Sequence, residues 1–159
     1  MAESFRCVVA TPTRELFSGD IYYADVPGYE GHFGVLSGHE SLVSINHQGG
    51  KLTLHLDPDG NEKKVFLVHR GCTQMLHNHL AVLGRFGCDP ESINVEEIKA
   101  KADDLREVLE ARIAAHEASS EDDEYSAADK AGIDNQQTRL SWYEAQIEYA
   151  TTGKEYSKQ

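Results

Sequence analysis

The sequence lacks the features of membrane-spanning and disulfide-stabilised proteins. It has only three cysteines, Cys7, Cys72 and Cys88, and their wide spacing leaves no CxxC motif. An odd number of separated cysteines is typical of a reducing compartment, where thiols serve as small apolar side chains. No apolar run approaches the ~20 residues that a membrane helix requires. The first residues contain neither the basic nor the apolar part of a secretion signal, so we expect a soluble, cytosolic protein.

The chain is also poor in positive charge. It carries 15 Lys and Arg against 27 Asp and Glu, a formal net charge of −12. Nucleic-acid binding needs clustered Lys and Arg, so the composition argues against that function. Residues 1–88 hold 7 basic and 9 acidic side chains, whereas residues 89–159 hold 8 and 18. We therefore expect two units, a near-neutral one at 1–88 and a strongly acidic one at 89–159.

Motifs for catalysis, phosphate binding and metal binding are missing as well. Neither GxxxxGK[ST] nor GxGxxG occurs in the sequence. His77 and His79 have no Cys or carboxylate at ligand spacing, so we interpret them as turn residues and expect no metal site. Cys72 with His69 or His39 would be a thiol nucleophile and its base only if the fold brought them together. An enzyme that depends on Cys72 or His39 is therefore the third hypothesis.

Through residue 88 the apolar pattern has the period of a β-strand. Leucines alternate with polar residues between Lys51 and Asp57, and the following Pro-Asp-Gly is a strong turn signal. The sequence from Lys64 to His69 then predicts the returning strand of a hairpin. Further strands are predicted at 5–10, 21–26 and 79–84, with a turn at 77–78. Many short strands in so few residues predict a β-sandwich or flattened barrel.

After residue 90 the apolar residues recur at helical spacing. Asn94 is expected to cap a first helix, and Glu97 to complete a capping box. The acidic stretch 121–124 suits the start of a second helix. That helix has a seam with steps of three and four residues, formed by Ala128, Ala131, Asn135, Thr138, Trp142, Ala145 and Tyr149.

The second helix also carries apolar residues off this seam, at Leu140, Tyr143 and Ile147. A weak seam and a second apolar face would let the helix leave its hairpin partner. Alternatively, the small seam residues simply allow two helices to pack closely. The segment 151–159 is expected to fray.

A glycine-rich segment at 26–39 reads V-P-G-Y-E-G-H-F-G-V-L-S-G-H and follows Phe17-Ser18-Gly19. Its glycines predict tight turns between short strands. The segment resembles the epsilon subunit of bacterial F-type ATP synthases, in which F-S-G precedes V-x-G-x-E-G-x-x-G-x-x-P-G-H. Ser37 stands where that family usually has proline. The resemblance covers most of the chain and implies an α+β fold, with an N-terminal antiparallel β-sandwich and a C-terminal two-helix hairpin.

The resemblance implies a non-catalytic rotor subunit in the central stalk of a proton-translocating ATP synthase. The sandwich would dock on the gamma subunit and the c-ring through Glu30, His32, Leu36, Ser37 and His39. The helices would either fold on the sandwich or extend along gamma to the alpha and beta subunits, where they block hydrolysis. The protein would lie at the cytoplasmic face of the cell membrane through the complex alone.

Some bacterial members of that family bind ATP through the motif I/L-D-x-x-R-A. The aligned V-E-E-I-K-A departs from it at each key position, and lysine cannot reproduce the bidentate fork of arginine. We therefore expect no cofactor, and regulatory ATP binding is a hypothesis to be tested at Glu96, Lys99 and Arg139. Arg139, Trp142 and Tyr143 are expected to form the inhibitory surface, in a brake that is weak or relies on apolar contacts.

The competing hypothesis is a free-standing β-sandwich adaptor whose helical tail recognises another protein. It predicts a stable monomer without affinity for a gamma subunit.

Overall fold

The computed structural model describes residues 2–118 and 127–156. Two five-stranded sheets are followed by a short 3-10 turn and two helices. The strands are β1 (Phe5–Thr11), β2 (Arg14–Ile21), β3 (Tyr23–Gly28), β4 (Gly31–Val35), β5 (Leu42–Ile45), β6 (Gly50–His55), β7 (Lys63–His69), β8 (Cys72–Leu76), β9 (His79–Leu83) and β10 (Phe86–Cys88). The 3-10 turn is Pro90–Ser92, and the helices are α1 (Val95–Glu117) and α2 (Ala127–Thr152). The predicted α+β class is confirmed.

The first sheet has the strand order β2-β1-β9-β8-β5, and the second sheet has the order β10-β7-β6-β3-β4. Neighbouring strands are antiparallel except β1 and β9, which pair in parallel. Side chains alternate between the two faces of each strand, and those that face inward fill the space between the sheets. On β6 these include Leu52 and Leu54, which are fully buried. Cys7 also lies in this core. Burial raises the pKa of the Cys7 and Cys88 thiols to about 12, so both act as small apolar side chains.

The turns agree with the sequence in most places. His77 and Asn78 have φ of 47° and 60°, as a two-residue hairpin turn between right-twisted strands requires. The predicted strand 21–26 is only partly right, however, because residues 23–26 belong to β3 but the strand does not run through from residue 21. The chain bends at Tyr22, since β2 ends at Ile21 in the first sheet and β3 begins at Tyr23 in the second. Apolar residues lie on both sides of this bend, so the sequence pattern does not show that the chain passes from one sheet to the other there.

Asn94 caps α1 as expected. Its side-chain oxygen accepts the Glu97 N–H at 3.3 Å, and its carbonyl accepts the Ile98 N–H at 3.0 Å. The predicted capping box is wrong, because the Glu97 carboxylate pairs with Lys101 Nζ one turn later. The acidic stretch 121–124 lies outside the described residues.

Helix α2 lies between the second sheet and α1. Its contact with the sheet is a second apolar cluster, centred on Leu67, Cys88, Trp142, Ala145 and Tyr156. The predicted seam is therefore half right. Its later residues Thr138, Trp142 and Ala145 are buried, and Trp142 and Ala145 pack against the sandwich, whereas Ala131 and Asn135 are exposed. The side chain of Ala128 is not among those described.

The end of the chain is anchored to the sandwich. Gly153 ends α2 with φ of 70°, and its N–H donates to the Tyr149 carbonyl at 2.8 Å. The Glu155 carboxylate then accepts the Lys51 N–H at 2.5 Å. Tyr156 is only 5% exposed, and its hydroxyl donates to Glu144 at 2.8 Å. The expectation of fraying from residue 151 is wrong through Tyr156, and residues 157–159 are not described.

Candidate interaction surfaces

Large apolar side chains are exposed on one side of the sandwich. Val43 and Ile45 on β5 are 75% and 66% exposed, Tyr29 at the tip of the β3–β4 hairpin is 67% exposed, and Leu36 in the loop after β4 is 56% exposed. We call these four residues the apolar strip. Exposed apolar patches with polar surroundings are typical of interaction surfaces.

The pairing of β5 explains how the strip is continuous. As the edge strand of the first sheet, β5 faces Leu42 and Ser44 inward and Val43 and Ile45 outward. At one end, the Tyr29 N–H donates to the Ile45 carbonyl at 2.8 Å. At the other end, β5 continues from the loop that contains Leu36. The strip thus runs from the β3–β4 hairpin tip to the loop after β4.

The sequence-predicted contact residues fall at the two ends of this strip. Glu30 lies at the hairpin tip, whereas Leu36, Ser37 and His39 lie in the loop after β4. The five residues of β4 separate the two groups by about 17 Å. The loop is fixed by hydrogen bonds from His39 N to the Leu36 carbonyl at 3.2 Å and from Gly38 N to Asn78 Oδ1 at 2.7 Å. Sequence reasoning missed Val43 and Ile45, which join the two ends.

His32 is not a free loop residue. It lies on β4, with Nδ1 3.1 Å from Asp25 and Nε2 2.7 Å from Glu155. Burial lowers the pKa of His32, but the two carboxylates outweigh this effect and raise it overall. His32 therefore holds the end of the chain against the second sheet.

His69 lies at the contact between β7 and α2. Its side chain is fully buried, and Nε2 is 3.0 Å from Ser141 Oγ. Since the Ser141 hydroxyl donates to the Thr138 carbonyl at 2.8 Å, it must accept from the His69 Nε2–H. Burial, with help from Arg70 and other basic neighbours, lowers the pKa of His69 to about 4. The imidazole is thus neutral, and its Nδ1 is one of the buried atoms without a partner among the described residues.

Of the residues expected to form the inhibitory surface, Trp142 is buried in this arrangement, Tyr143 is half-buried and Arg139 is exposed. Trp142 is 7% exposed and stacks on Phe86, with ring planes 8° apart. Arg139 lies over the same Phe86 ring at 5.5 Å, and Tyr143 packs against the cluster. These side chains stabilise the docked helix, so another protein could reach Trp142 only after α2 moved.

The residues of the ATP hypothesis do not share a cavity. Lys99 lines a groove between the helices, beside Ile147 and Glu148. Arg139 lines a different cleft, which lies between α2, the β1–β2 turn and the start of β10. Glu96 is exposed in the first turn of α1. Regulatory ATP binding through these residues stays a hypothesis, and the absence of a cofactor stays a prediction.

The remaining histidine and cysteine hypotheses find no common site. The His79 ring is hydrogen-bonded to the His77 carbonyl at 2.8 Å. Cys72 lies on β8 opposite Ile45, whereas His69 lies beneath α2 and His39 lies in the loop after β4. Among residues 2–118 and 127–156, no three His, Cys, Asp or Glu side chains are grouped as metal ligands.

Neither α1 nor α2, the two long helices of the described ranges, is apolar enough to cross a membrane. Comparison with known proteins gives a definite family. Residues 4–86 match the model of the ATP synthase delta/epsilon chain β-sandwich domain. The ATP synthase epsilon chain of Maricaulis maris is 30% identical over 67% of this chain and 77% of its own length. This chain belongs to the epsilon-chain family of ATP synthases.

Other comparisons agree with the family. The epsilon chain of Solibacter usitatus is 33% identical over 63% of this chain and 72% of its own length. A chain in the structure of the Euglena gracilis mitochondrial ATP synthase, OSCP/F1/c-ring, matches with a TM-score of 0.55 and 18% identity. That match covers 93% of this chain and 81% of the other, and it supports the fold.

Proposed function

We propose that this epsilon-family chain is a non-catalytic rotor subunit of a proton-translocating ATP synthase, linking a gamma subunit to a c-ring. The observation that carries the proposal is the apolar strip on edge strand β5, which neither helix covers. Its two β5 residues, Val43 and Ile45, are 75% and 66% exposed, and with Tyr29 and Leu36 they form an exposed apolar surface of the kind that marks interaction sites. A partner that covers them would bury them at the centre of an interface.

The strip and its ends suit different partners. We assign the gamma subunit to Val43 and Ile45, since the centres of stable interfaces are apolar. We assign the c-ring to the polar ends at Glu30 and at Ser37 and His39, where side chains are available for hydrogen bonds. Association with the membrane would follow from these contacts alone.

Regulation is proposed to depend on the position of the helices. In the docked arrangement, Trp142 belongs to the second apolar cluster and Tyr143 packs against it, so Trp142 cannot contact the catalytic subunits. If α2 left the sandwich, these side chains and Arg139 would form an apolar and basic surface that could slow ATP hydrolysis. The two arrangements would be populated according to the contacts that each one gains.

The gamma contact can be tested by placing charge on the strip. Val43→Asp with Ile45→Asp should weaken binding to the cognate gamma subunit more than tenfold, because carboxylates would be buried in an apolar interface. Val108→Asp is the matched control, since Val108 is 54% exposed on α1, away from β5. Binding is measured by co-elution and titration calorimetry.

The outcomes separate the site from the function. Unchanged binding of the strip variant would refute the assignment of gamma to β5. If the unmodified chain failed to bind a folded gamma subunit, the rotor function itself would be wrong, and the free-standing adaptor would be favoured.

A further inference from the structure

The segment that follows α2 turns away from the helix axis and lies against the second sheet. Gly153 ends the helix in the left-handed region, with φ of 70°, a conformation that commonly stops a helix and redirects the chain. The next residues, 154–156, then contact the sandwich and both helices. We call residues 153–156 the latch.

The first contact of the latch is with the sheet. The Glu155 carboxylate accepts the Lys51 N–H at 2.5 Å and lies 2.7 Å from His32 Nε2, and His32 Nδ1 lies 3.1 Å from Asp25. Lys51 is on β6, Asp25 on β3 and His32 on β4, which are neighbours in the second sheet. One carboxylate is therefore held by three adjacent strands, through contacts that its charge strengthens.

The second contact of the latch is with the helices. Tyr156 is 5% exposed, and its hydroxyl donates to Glu144 on α2 at 2.8 Å. Glu144 also lies 3.5 Å from Arg106 on α1. A Cβ at Gly49 would lie 2.5 Å from Ala145 Cβ and 3.0 Å from Tyr156 Cβ, so Tyr156 and α2 press on the same point of the sandwich. The latch thus joins the sheet to α2 and, through Glu144, to α1.

The length of the latch limits how far α2 can move. Three residues lead from Thr152, the last residue of α2, to Glu155, and they span at most about 11 Å when extended. This distance is about one helix diameter. Helix α2 has 26 residues and is about 39 Å long, so its extension away from the sandwich requires a larger displacement of its C-terminal end. Glu155 must therefore leave the sheet before α2 can extend.

We propose that residues 153–156 are an autoinhibitory contact that locks the helix pair on the sandwich and opens before α2 leaves. The closed latch keeps Trp142 inside the second apolar cluster, so it opposes the inhibition of ATP hydrolysis. The latch rests on the helix movement in the proposed function, and it names the contact that controls this movement.

Thiol labelling of the full-length chain under native conditions measures how often α2 leaves. Cys88 is 7% exposed in the second apolar cluster, with Sγ 4.0 Å from Gln146 on α2, whereas Cys7 is fully buried between the sheets. The labelling rate of Cys88 therefore reports undocking of α2, and that of Cys7 reports opening of the sandwich. Peptide mass spectrometry assigns each rate to its cysteine.

Glu155→Ala should make Cys88 react about tenfold faster and leave the Cys7 rate unchanged, because it removes charge-assisted contacts with the sheet and no side chain of the apolar cluster. Glu110→Ala is the matched control, since Glu110 is exposed on α1, and it should react as the unmodified chain does. Tyr156→Phe keeps the buried ring and loses only the hydroxyl, so it should make Cys88 react about fivefold faster.

The Tyr156→Phe variant decides the question if Glu155→Ala does not fold. An unchanged Cys88 rate in a folded latch variant would overturn the proposal. An equal rise at Cys7 would also overturn it, because the contact would then stabilise the whole fold and not the docking of α2.

ATP hydrolysis by the assembled complex separates the latch from the proposed regulation. Glu155→Ala should lower the hydrolysis rate, because α2 would leave more often and expose Trp142. Faster labelling of Cys88 with unchanged hydrolysis would support the latch and refute the inhibitory role proposed for α2.

Discussion

Acidification is predicted to weaken the docking of α2 on the sandwich through His69. In the docked arrangement, burial lowers the pKa of this imidazole to about 4. When α2 leaves, His69 lies on the outer face of the second sheet, and its pKa returns to about 6.5. The neutral ring is thus favoured in the docked state. Its contribution to the free energy of α2 docking is fully present above pH ~6.5 and is lost as pH falls towards 4.

The size of the effect follows from the two pKa values. At about pH 5, the difference costs about 2 kcal/mol of docking free energy, or a factor of about 30 in the docking equilibrium. Below pH ~4 the loss approaches its limit of about 3 kcal/mol.

Trp142 provides the assay, because it is the chain's single tryptophan and lies 5.7 Å from the His69 ring. Urea titrations followed by Trp142 emission would give the docking free energy at about pH 7 and about pH 5. His69→Gln is the control, since an amide can still donate to Ser141 but does not titrate. The difference between the two pH values should be about 2 kcal/mol larger in the unmodified chain than in the variant. Equal differences would refute the reasoning.

Two substitutions test other contacts of the docked region. Glu155→Gln should weaken attachment of the chain end by about 1 kcal/mol, because the Lys51 N–H loses a charged acceptor. The weakening would be measured as faster amide exchange at 153–156. Unchanged exchange there would contradict the prediction. Gly49→Ala should undock α2, because Gly49 has φ of 62° and a Cβ there would lie 2.5 Å from Ala145 Cβ. Gly38→Ala is its control, since a Cβ at φ of 78° meets nothing within 4 Å. Gly38→Ala should lose only about 1 kcal/mol of stability, which is the cost of placing a residue with a Cβ at positive φ. A red-shifted Trp142 emission in both variants would refute the steric argument.

The sandwich was largely predictable because its strands alternate apolar and polar residues locally. The apolar strip was not, since Leu42, Val43 and Ile45 are all apolar and their order does not reveal which side of β5 faces the core. The contact between Glu155 and His32 spans 123 residues, and no local pattern signals it. A contact between residues so far apart in the sequence depends on where α2 docks. The apolar seam of α2 predicted this docking position only in part.

The two interface histidines make the C-terminal region respond to pH in opposite directions. The pKa of His32 is lowered by burial but raised overall by Glu155 and Asp25. Its ion pairs are therefore fully present below pH ~6.5 and are lost as pH rises through the raised value. Acid thus strengthens the attachment of Glu155 while it loosens α2 near His69. At about pH 5 we expect amide exchange near Ser141 to become faster and exchange at Glu155 to slow, relative to about pH 7 after correction for intrinsic rates. If both segments changed in the same direction, docking would be a single event and the opposing roles of the two histidines would be wrong.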